Sequence, residues 1–198
     1  MSPVTSIADR IRIREIKVLS DNWYILRKAT FDWRRRDGTW QTQSREAYDR
    51  GNGVALIPYN LAAGTVLLVR QFRYPAYSNG GDGLLIEAAA GLLDAAEPEA
   101  RIRKEVEEEL GYRLGGITKV FACFMSPGAV TEQLHLFVAE YEPRMRVGVG
   151  GGLAGEGEDI EVLEVPFAEA MAMVATGDIC DAKTILLLQH LALSVFRG

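Results

Sequence analysis

The sequence predicts an α+β protein built on a mixed β-sheet, with an antiparallel β unit at its N-terminus. Three observations carry that expectation. Strand-like and helix-like segments follow one another without the regular βα alternation of a parallel sheet. The first ~50 residues show strand patterning alone, which suits a hairpin-connected unit. Hydrophobic residues make up 48% of the 198-residue chain, enough for a real core, while charged residues hold the 25% usual for a soluble protein. That length favours one domain with a small appendage. Gly51 and Gly53 punctuate the junction, so the chain divides into residues 1–50 and 51–198.

The elements follow in order. Residues 11–19 and 23–33 have strand character, and Asp37-Gly38 turns the second strand back through residues 40–48. Residues 54–58 and 66–72 read as the next strands, joined around the turn residues Asn60 to Gly64. Residues 84–90 lead into a helix, for which Pro98 suits the first turn and Gly111 the stop. Residues 119–124 and 134–140 are strands flanking Ser126-Pro127-Gly128, a tight turn expected to shape the pocket floor. Residues 148–157 form a glycine-rich loop with no apolar period. A strand at 160–165, a helix at 167–175 and an amphipathic helix at 183–196 complete the chain.

Composition removes several functional classes. The net charge of −5 offers no nucleic-acid surface. The one basic run, Arg34-Arg35-Arg36, abuts Asp37-Gly38 and reads as the flank of a hairpin turn. The N-terminal stretch lacks the apolar core of a signal peptide, and the apolar run 185–188 is too short to span a membrane. Cys123 and Cys180 show no metal spacing and no disulfide framework. A cytoplasmic location is the default expectation.

The segment GLLDAAEPEARIRKEVEEELG, residues 91–111, is the most informative. Glu105, Glu108 and Glu109 stand at i, i+3 and i+4, so on a helix their carboxylates share one stripe. Ile102, Val106 and Leu110 form a neighbouring apolar stripe. Helix chemistry alone leaves two readings open. Arg101–Glu105 and Lys104–Glu108 are i, i+4 pairs, as on an ordinary solvated helix. Yet four glutamates crowd the C-terminal half, where like charges repel and the helix dipole disfavours anions. A divalent cation would resolve that conflict, and oxygen-only ligands suit Mg²⁺ or Mn²⁺.

The same segment resembles the Nudix box: Gly91, five residues, Glu97, then Lys104-Glu105-Val106, Glu108-Glu109, Gly111 and Tyr112. Two departures stand out. Lys104 occupies an arginine position, keeping charge but losing the bidentate fork. The spacer from Glu97 is one residue short, before the helix, so the glutamate spacing stays intact. Further segments resemble one branch of that superfamily, the GDP-mannose pyrophosphatases and the related ADP-ribose and ADP-sugar pyrophosphatases. They are Asp49-Arg50-Gly51-Asn52-Gly53, Arg70-Gln71-Phe72-Arg73, Met125 to Glu132, Glu158-Asp159-Ile160-Glu161 and Asp181-Ala182-Lys183-Thr184.

The resemblance implies a Nudix fold, with a mixed sheet sandwiched between helices. It implies a metal-dependent hydrolase that cleaves the pyrophosphate bond of a nucleoside diphosphate sugar, GDP-mannose first. ADP-ribose or another ADP-sugar is the alternative substrate. A non-catalytic ligand sensor is a lesser reading, since all three box glutamates survive, and so is a housecleaner of oxidised nucleotides, given the N-terminal extension and the sugar-nucleotide-like segments. By resemblance the Ala90 carbonyl, Glu105, Glu108, Glu109 and Glu158 hold Mg²⁺, with Mn²⁺ as a substitute. Glu158, Glu108 and Glu109 carry the catalysis. Glu158 is ligand, base or both, on a loop flexible enough to close on substrate, with Glu156 as its alternative. Substrate contacts fall to Trp23, Arg45, Glu46, Arg73, Ala90, Gly91, Leu92, Glu132 and Lys183. Arg73 is equally readable as a strand-end surface charge, and Trp23 as core packing. His135 and His190 read as packing or surface residues. An N-terminal unit this small cannot bury Trp23, Trp33 and Trp40 by itself. With the resemblance, that implies a homodimer in which the partner supplies Arg45 and Glu46.

Overall fold

The computed structural model describes residues 6–93 and 95–197; residues 1–5 of the expected N-terminal unit lie outside them. The chain forms two compact units, one running to Gly51 and including Ser126–Glu132, the other formed by Asn52–Met125 and Gln133–Gly198.

The first unit is a three-stranded antiparallel meander of β1 (Ile11–Asp21), β2 (Ile25–Arg34) and β3 (Trp40–Asp49), in that order. Gly38, at φ 87°, makes the β2–β3 turn, and the Asp37 carboxylate accepts the Thr39 N–H at 2.9 Å. The segment Ser126–Glu132 bridges β3 through Tyr48 and Val130, and its turn is held by the Ala129 and Val130 N–H groups donating to the Ser126 carbonyl.

The second unit is built on a seven-stranded mixed sheet. Its strands are β4 (Asn52–Asn60), β5 (Thr65–Phe72), β6 (Leu84–Glu87), β7 (Ala89–Leu93), β8 (Thr118–Phe124), β9 (Gln133–Glu140) and β10 (Glu161–Pro166). The main order is β10-β5-β4-β9-β8, with β4 and β9 parallel and β6 and β7 paired to β5 and β4. The helices are α1 (Tyr74–Ser78), α2 (Pro98–Leu110), α3 (Phe167–Thr176) and α4 (Ala182–Ser194). Period-two alternation divides the core in two. Val54, Leu56, Leu67, Val69, Phe137 and Ala139 face α2 through Ile102, Val106 and Leu110. Ala55, Ile57, Val66, Leu68, Leu136 and Val138 face α3 and α4 through Ala170, Leu187, Leu188 and Leu191. The expected mixed sheet between helices is therefore present.

Beyond the short helix α1, which the sequence does not predict, two features depart from the expected element list. Residues 84–90 are not one strand. The chain leaves β5 after Glu87 and joins β4 at Ala89, and the Ala88 N–H donates instead to Thr184 Oγ1 at 2.7 Å. The glycine-rich loop is not a free linker but is seated on the end of α2. The Gly151 and Gly152 N–H groups donate to the Glu109 and Glu108 carbonyls at 2.9 and 3.1 Å, and the Val147 and Gly148 N–H groups to that of Gly111 at 2.8 and 3.1 Å. These are carbonyls that every helix end leaves unsatisfied, and glycine lets the loop come close enough to meet them. Among the described residues no helix is long and apolar enough to cross a membrane.

Candidate active site

The α2 helix is placed by its apolar stripe and stopped by Gly111 at φ 77°. That orientation turns the glutamate stripe inward. Glu105 and Glu109 are only 4% and 1% exposed. The two expected pairs on this helix are present: Arg101 lies against Glu105, and Lys104 Nζ sits 3.1 Å from Glu108. A solvated charged face does not bury two carboxylates, so the pairs do not account for the helix. The Arg101–Glu105 pair is moreover misaligned, since neither Glu105 Oε1 nor Arg101 Nε finds a hydrogen-bond partner.

The electrostatics follow. Burial pushes the Glu105 carboxyl up to about 7; Arg101 opposes this, while Glu108, Glu158 and Glu156 reinforce it. Burial pushes Glu109 up to about 8, against the Ala90 N–H and with Glu105 and Glu158 adding to the shift. The box glutamates and the loop glutamates thus lie in one another's fields.

Beneath α2 runs the small-residue segment Ala88 to Gly91. The Ala90 N–H donates to Glu109 Oε2 at 3.1 Å. A side chain at Gly91 would overlap the Glu105 carboxylate, so glycine is the residue that lets β7 pass under the helix. Leu92 follows, half-buried and paired with Gly53 of β4. Glu158 is held at the base of the glycine-rich loop, where its Oε2 accepts the Leu153 N–H at 2.9 Å. Among the described residues no three of these side chains are drawn together as a ready-made ligand set; each carboxylate has its own neighbour. The donors nevertheless fit a hard divalent cation. All are oxygens, several are like-charged and mutually destabilising, and one buried oxygen, Glu105 Oε1, has Arg101 beside it but makes no aligned hydrogen bond.

Arg73 follows β5 and stands at the N-cap position of α1. Its Nε and Nη2 donate to the two oxygens of Glu87, both at 2.9 Å. Lys183, in the first turn of α4, donates to Glu87 Oε2 at 2.8 Å and lies 3.0 Å from Asp181 Oδ1. Arg73 is thus more than a strand-end surface charge. Sequence reasoning missed Glu87, although a lone acid inside the apolar run LLIEAAAG was a signal.

The remaining expected substrate residues belong to the first unit. Trp23 sits in the β1–β2 turn, 84% exposed and edge-on to Tyr24 at 6.1 Å, so it does not pack into a core. Arg45 and Glu46 are adjacent and exposed on β3, so their side chains point to opposite faces of that sheet. Glu132 lies 3.5 Å from Arg50 Nε. His135 is a β9 residue and His190 packs edge-on against Phe121.

Comparison with known proteins gives consistent matches. The family profile of the NUDIX domain matches residues 49–188, and that of the GDP-mannose pyrophosphatase NudK N-terminal domain matches residues 10–48. A protein named GDP-mannose pyrophosphatase from Pectobacterium atrosepticum is 54% identical over 189 residues, covering 95% of each chain. One of the same name from Cronobacter sakazakii is 54% identical, covering 89% of this chain and 92% of its own. A third, from Salmonella arizonae, is 50% identical, covering 97% of this chain and all of its own. A solved structure described as an ADP compounds hydrolase superposes with a TM-score of 0.72 at 16% identity, covering 96% of this chain and 97% of that one, and so shares its fold.

Proposed function

Because the chain belongs to the Nudix family and is a Nudix hydrolase, we propose that it hydrolyses the pyrophosphate bond of a nucleoside diphosphate sugar. GDP-mannose is the preferred substrate, giving GMP and mannose 1-phosphate. The observation that carries the reaction class is the pair of buried glutamates on α2, Glu105 and Glu109, set against Ala90 and Gly91 and within the field of Glu158. The substrate follows from the relatives, which are named for it, at 50–54% identity over nearly the whole chain.

Glu105, Glu108, Glu109, Glu158 and the Ala90 carbonyl would hold Mg²⁺ or Mn²⁺. A bound cation would neutralise charge on the diphosphate and help to activate water. Arg73 and Lys183 bind phosphate oxygens, and the rest of the sugar nucleotide falls to Trp23, Arg45, Glu46 and Glu132, with Arg45 and Glu46 supplied by a partner chain. Gly91 and Leu92 line the diphosphate from the strand below. Glu158 takes a proton from the attacking water. A bond forms from that oxygen to one phosphorus, the bridging P–O bond breaks, and the leaving phosphate departs as an anion that needs no proton. This is chemistry of positioning and electrostatics rather than covalent work by side chains. A cytoplasmic location accords with the unpaired thiols of Cys123 and Cys180.

The test is hydrolysis of GDP-mannose in ¹⁸O-water with mass analysis of both products, with Mg²⁺ and with chelator. GMP and mannose 1-phosphate, one of them carrying a single ¹⁸O, with activity lost in chelator, is the expected result. Release of free mannose and GDP would mean glycosidic cleavage and overturn the reading. Faster turnover of ADP-ribose would overturn the substrate alone.

A further inference from the structure

Glu87 is 1% exposed and has no place in the reaction just described, yet it touches two of the residues assigned to the substrate. It ends β6, where the chain is about to cross from β5 to β4. Its two oxygens take Nε and Nη2 of Arg73 side-on and also Nζ of Lys183, all within 2.9 Å. These three side chains come from three elements that pack together only in the folded unit: the end of β5, the end of β6 and the first turn of α4. The start of α4 is pinned by a second device. Thr184 Oγ1 accepts the Ala88 N–H at 2.7 Å and donates to Asp181 Oδ2 at 2.6 Å, while Asp181 also flanks Lys183. The cluster therefore fixes Lys183 from both sides.

We propose that Glu87 is a positioning residue: one buried carboxylate that aims Arg73 and Lys183 together at the substrate diphosphate. The inference rests on the phosphate-binding role given to those two cations above. Two features argue for positioning rather than simple charge balance. First, Glu87 and Asp181 cancel the two cations, so the cluster carries no net charge. If attraction to phosphate were all that mattered, a buried anion beside the two cations would be a disadvantage. Second, the pairing is bidentate through Nε and Nη2. That grip fixes the plane of the guanidinium and leaves Nη1 for a ligand, on a side chain that keeps 40% of its area exposed. Arg and Lys are long and rotamer-rich, and holding them before substrate arrives removes an ordering cost from binding.

The two accounts predict opposite signs for Glu87→Gln. Removing a negative charge should tighten diphosphate binding if Glu87 only balances charge. If Glu87 positions, both KM for GDP-mannose and the dissociation constant of inorganic pyrophosphate, measured by calorimetry in Mg²⁺, should rise about tenfold, the scale of losing an outer supporting partner. kcat should change less. Glu87→Asp, which keeps the charge and can still reach one cation, should recover part of the loss. In a Lys183→Ala background the same Glu87→Gln change should do less, because one of the two aimed groups is already gone. Unchanged or tighter pyrophosphate binding in folded Glu87→Gln overturns the proposal, as does wild-type protein that binds no pyrophosphate. If Glu87→Gln fails to fold, an unchanged KM and pyrophosphate affinity in Glu87→Asp overturns it instead. Pyrophosphate binding is read without turnover, so a wild-type protein inactive on GDP-mannose would overturn the substrate assignment and leave this test standing.

Discussion

Three glutamates of the second unit are almost wholly buried, and they meet the cost of burial in different ways. Burial would push Glu87 up, but the Arg73 hydrogen bonds and the Lys183 and Arg73 charges outweigh it and hold the carboxyl below its ordinary value. For Glu105 and Glu109 the opposing groups, Arg101 and the Ala90 N–H, do not outweigh burial, and the carboxyls rise to about 7 and 8. Carboxylates buried at a loss are kept for what they do, and perturbed groups of this kind gather at functional sites. Glu109→Gln separates the two roles. The amide keeps the shape of the side chain and can still accept the Ala90 N–H through its oxygen. It also removes a carboxyl whose ionised form is buried and repelled. The melting temperature should therefore stay level or rise. Turnover of GDP-mannose in saturating Mg²⁺ should fall by more than the ~10–100-fold that follows loss of a mere outer partner of a metal site. Thermal melts beside kcat measurements check both halves, and near-wild-type turnover would remove Glu109 from the site.

Elements were legible where their signal was local. The period-two strands, the Asp37-Gly38 turn and the Pro98 and Gly111 boundaries of α2 could be read directly, because propensity and pattern agree there. The glutamate stripe was legible for the same reason, since i, i+3, i+4 spacing means one face on any helix. What could not be read depends on partners distant in the chain. The switch from β6 to β7 needs Thr184 to take the Ala88 N–H, 96 residues away. Glu87 was missed because its partners lie at 73 and 183. The glycine-rich loop looked free because its acceptors are the end carbonyls of α2 rather than anything in its own sequence. That docking gives a prediction at this scale. Gly150, at φ 72°, lies where a side chain would overlap the Glu109 carbonyl, whereas one at Gly148 would meet only the Gly111 Cα at 3.9 Å. Gly150→Ala should lower stability by about 1–3 kcal/mol, the usual cost of such backbone strain. It should also lower turnover, because the displaced loop carries Glu158. Gly148→Ala should do neither. Denaturant unfolding and kcat for the two variants make the comparison, and equal behaviour would show that the loop does not depend on this seat.

At the scale of the whole molecule the N-terminal unit raises a burial problem. Residues directly opposite in antiparallel strands share a face. On β1 and β2 the opposed pairs are Ile11 with Trp33, Ile13 with Phe31, Ile16 with Ala29 and Val18 with Arg27. A register shift between Ile13 and Glu15 keeps Ile16 and Val18 on the same face as Ile11 and Ile13. The bulge thus preserves one continuous apolar strip that strict alternation would have broken. Ile13, Ile16 and Val18 are each more than half exposed. Arg45 stands opposite Ala29 and therefore belongs to this strip, while Glu46, opposite Lys28, belongs to the other face. A contiguous exposed apolar strip is what an association surface looks like. A second copy of the chain is the partner we expect, docking through this sheet and carrying Arg45 into reach of the other copy's substrate. Light scattering should then give twice the mass of one chain. Ile16→Glu combined with Val18→Glu should yield monomer with a raised KM for GDP-mannose, because Arg45 no longer reaches the neighbouring site. Mixing that variant with an Arg73-disabled but dimer-competent chain should leave its KM raised if the strip is the interface. A stable wild-type monomer with full turnover would rule out the dimer.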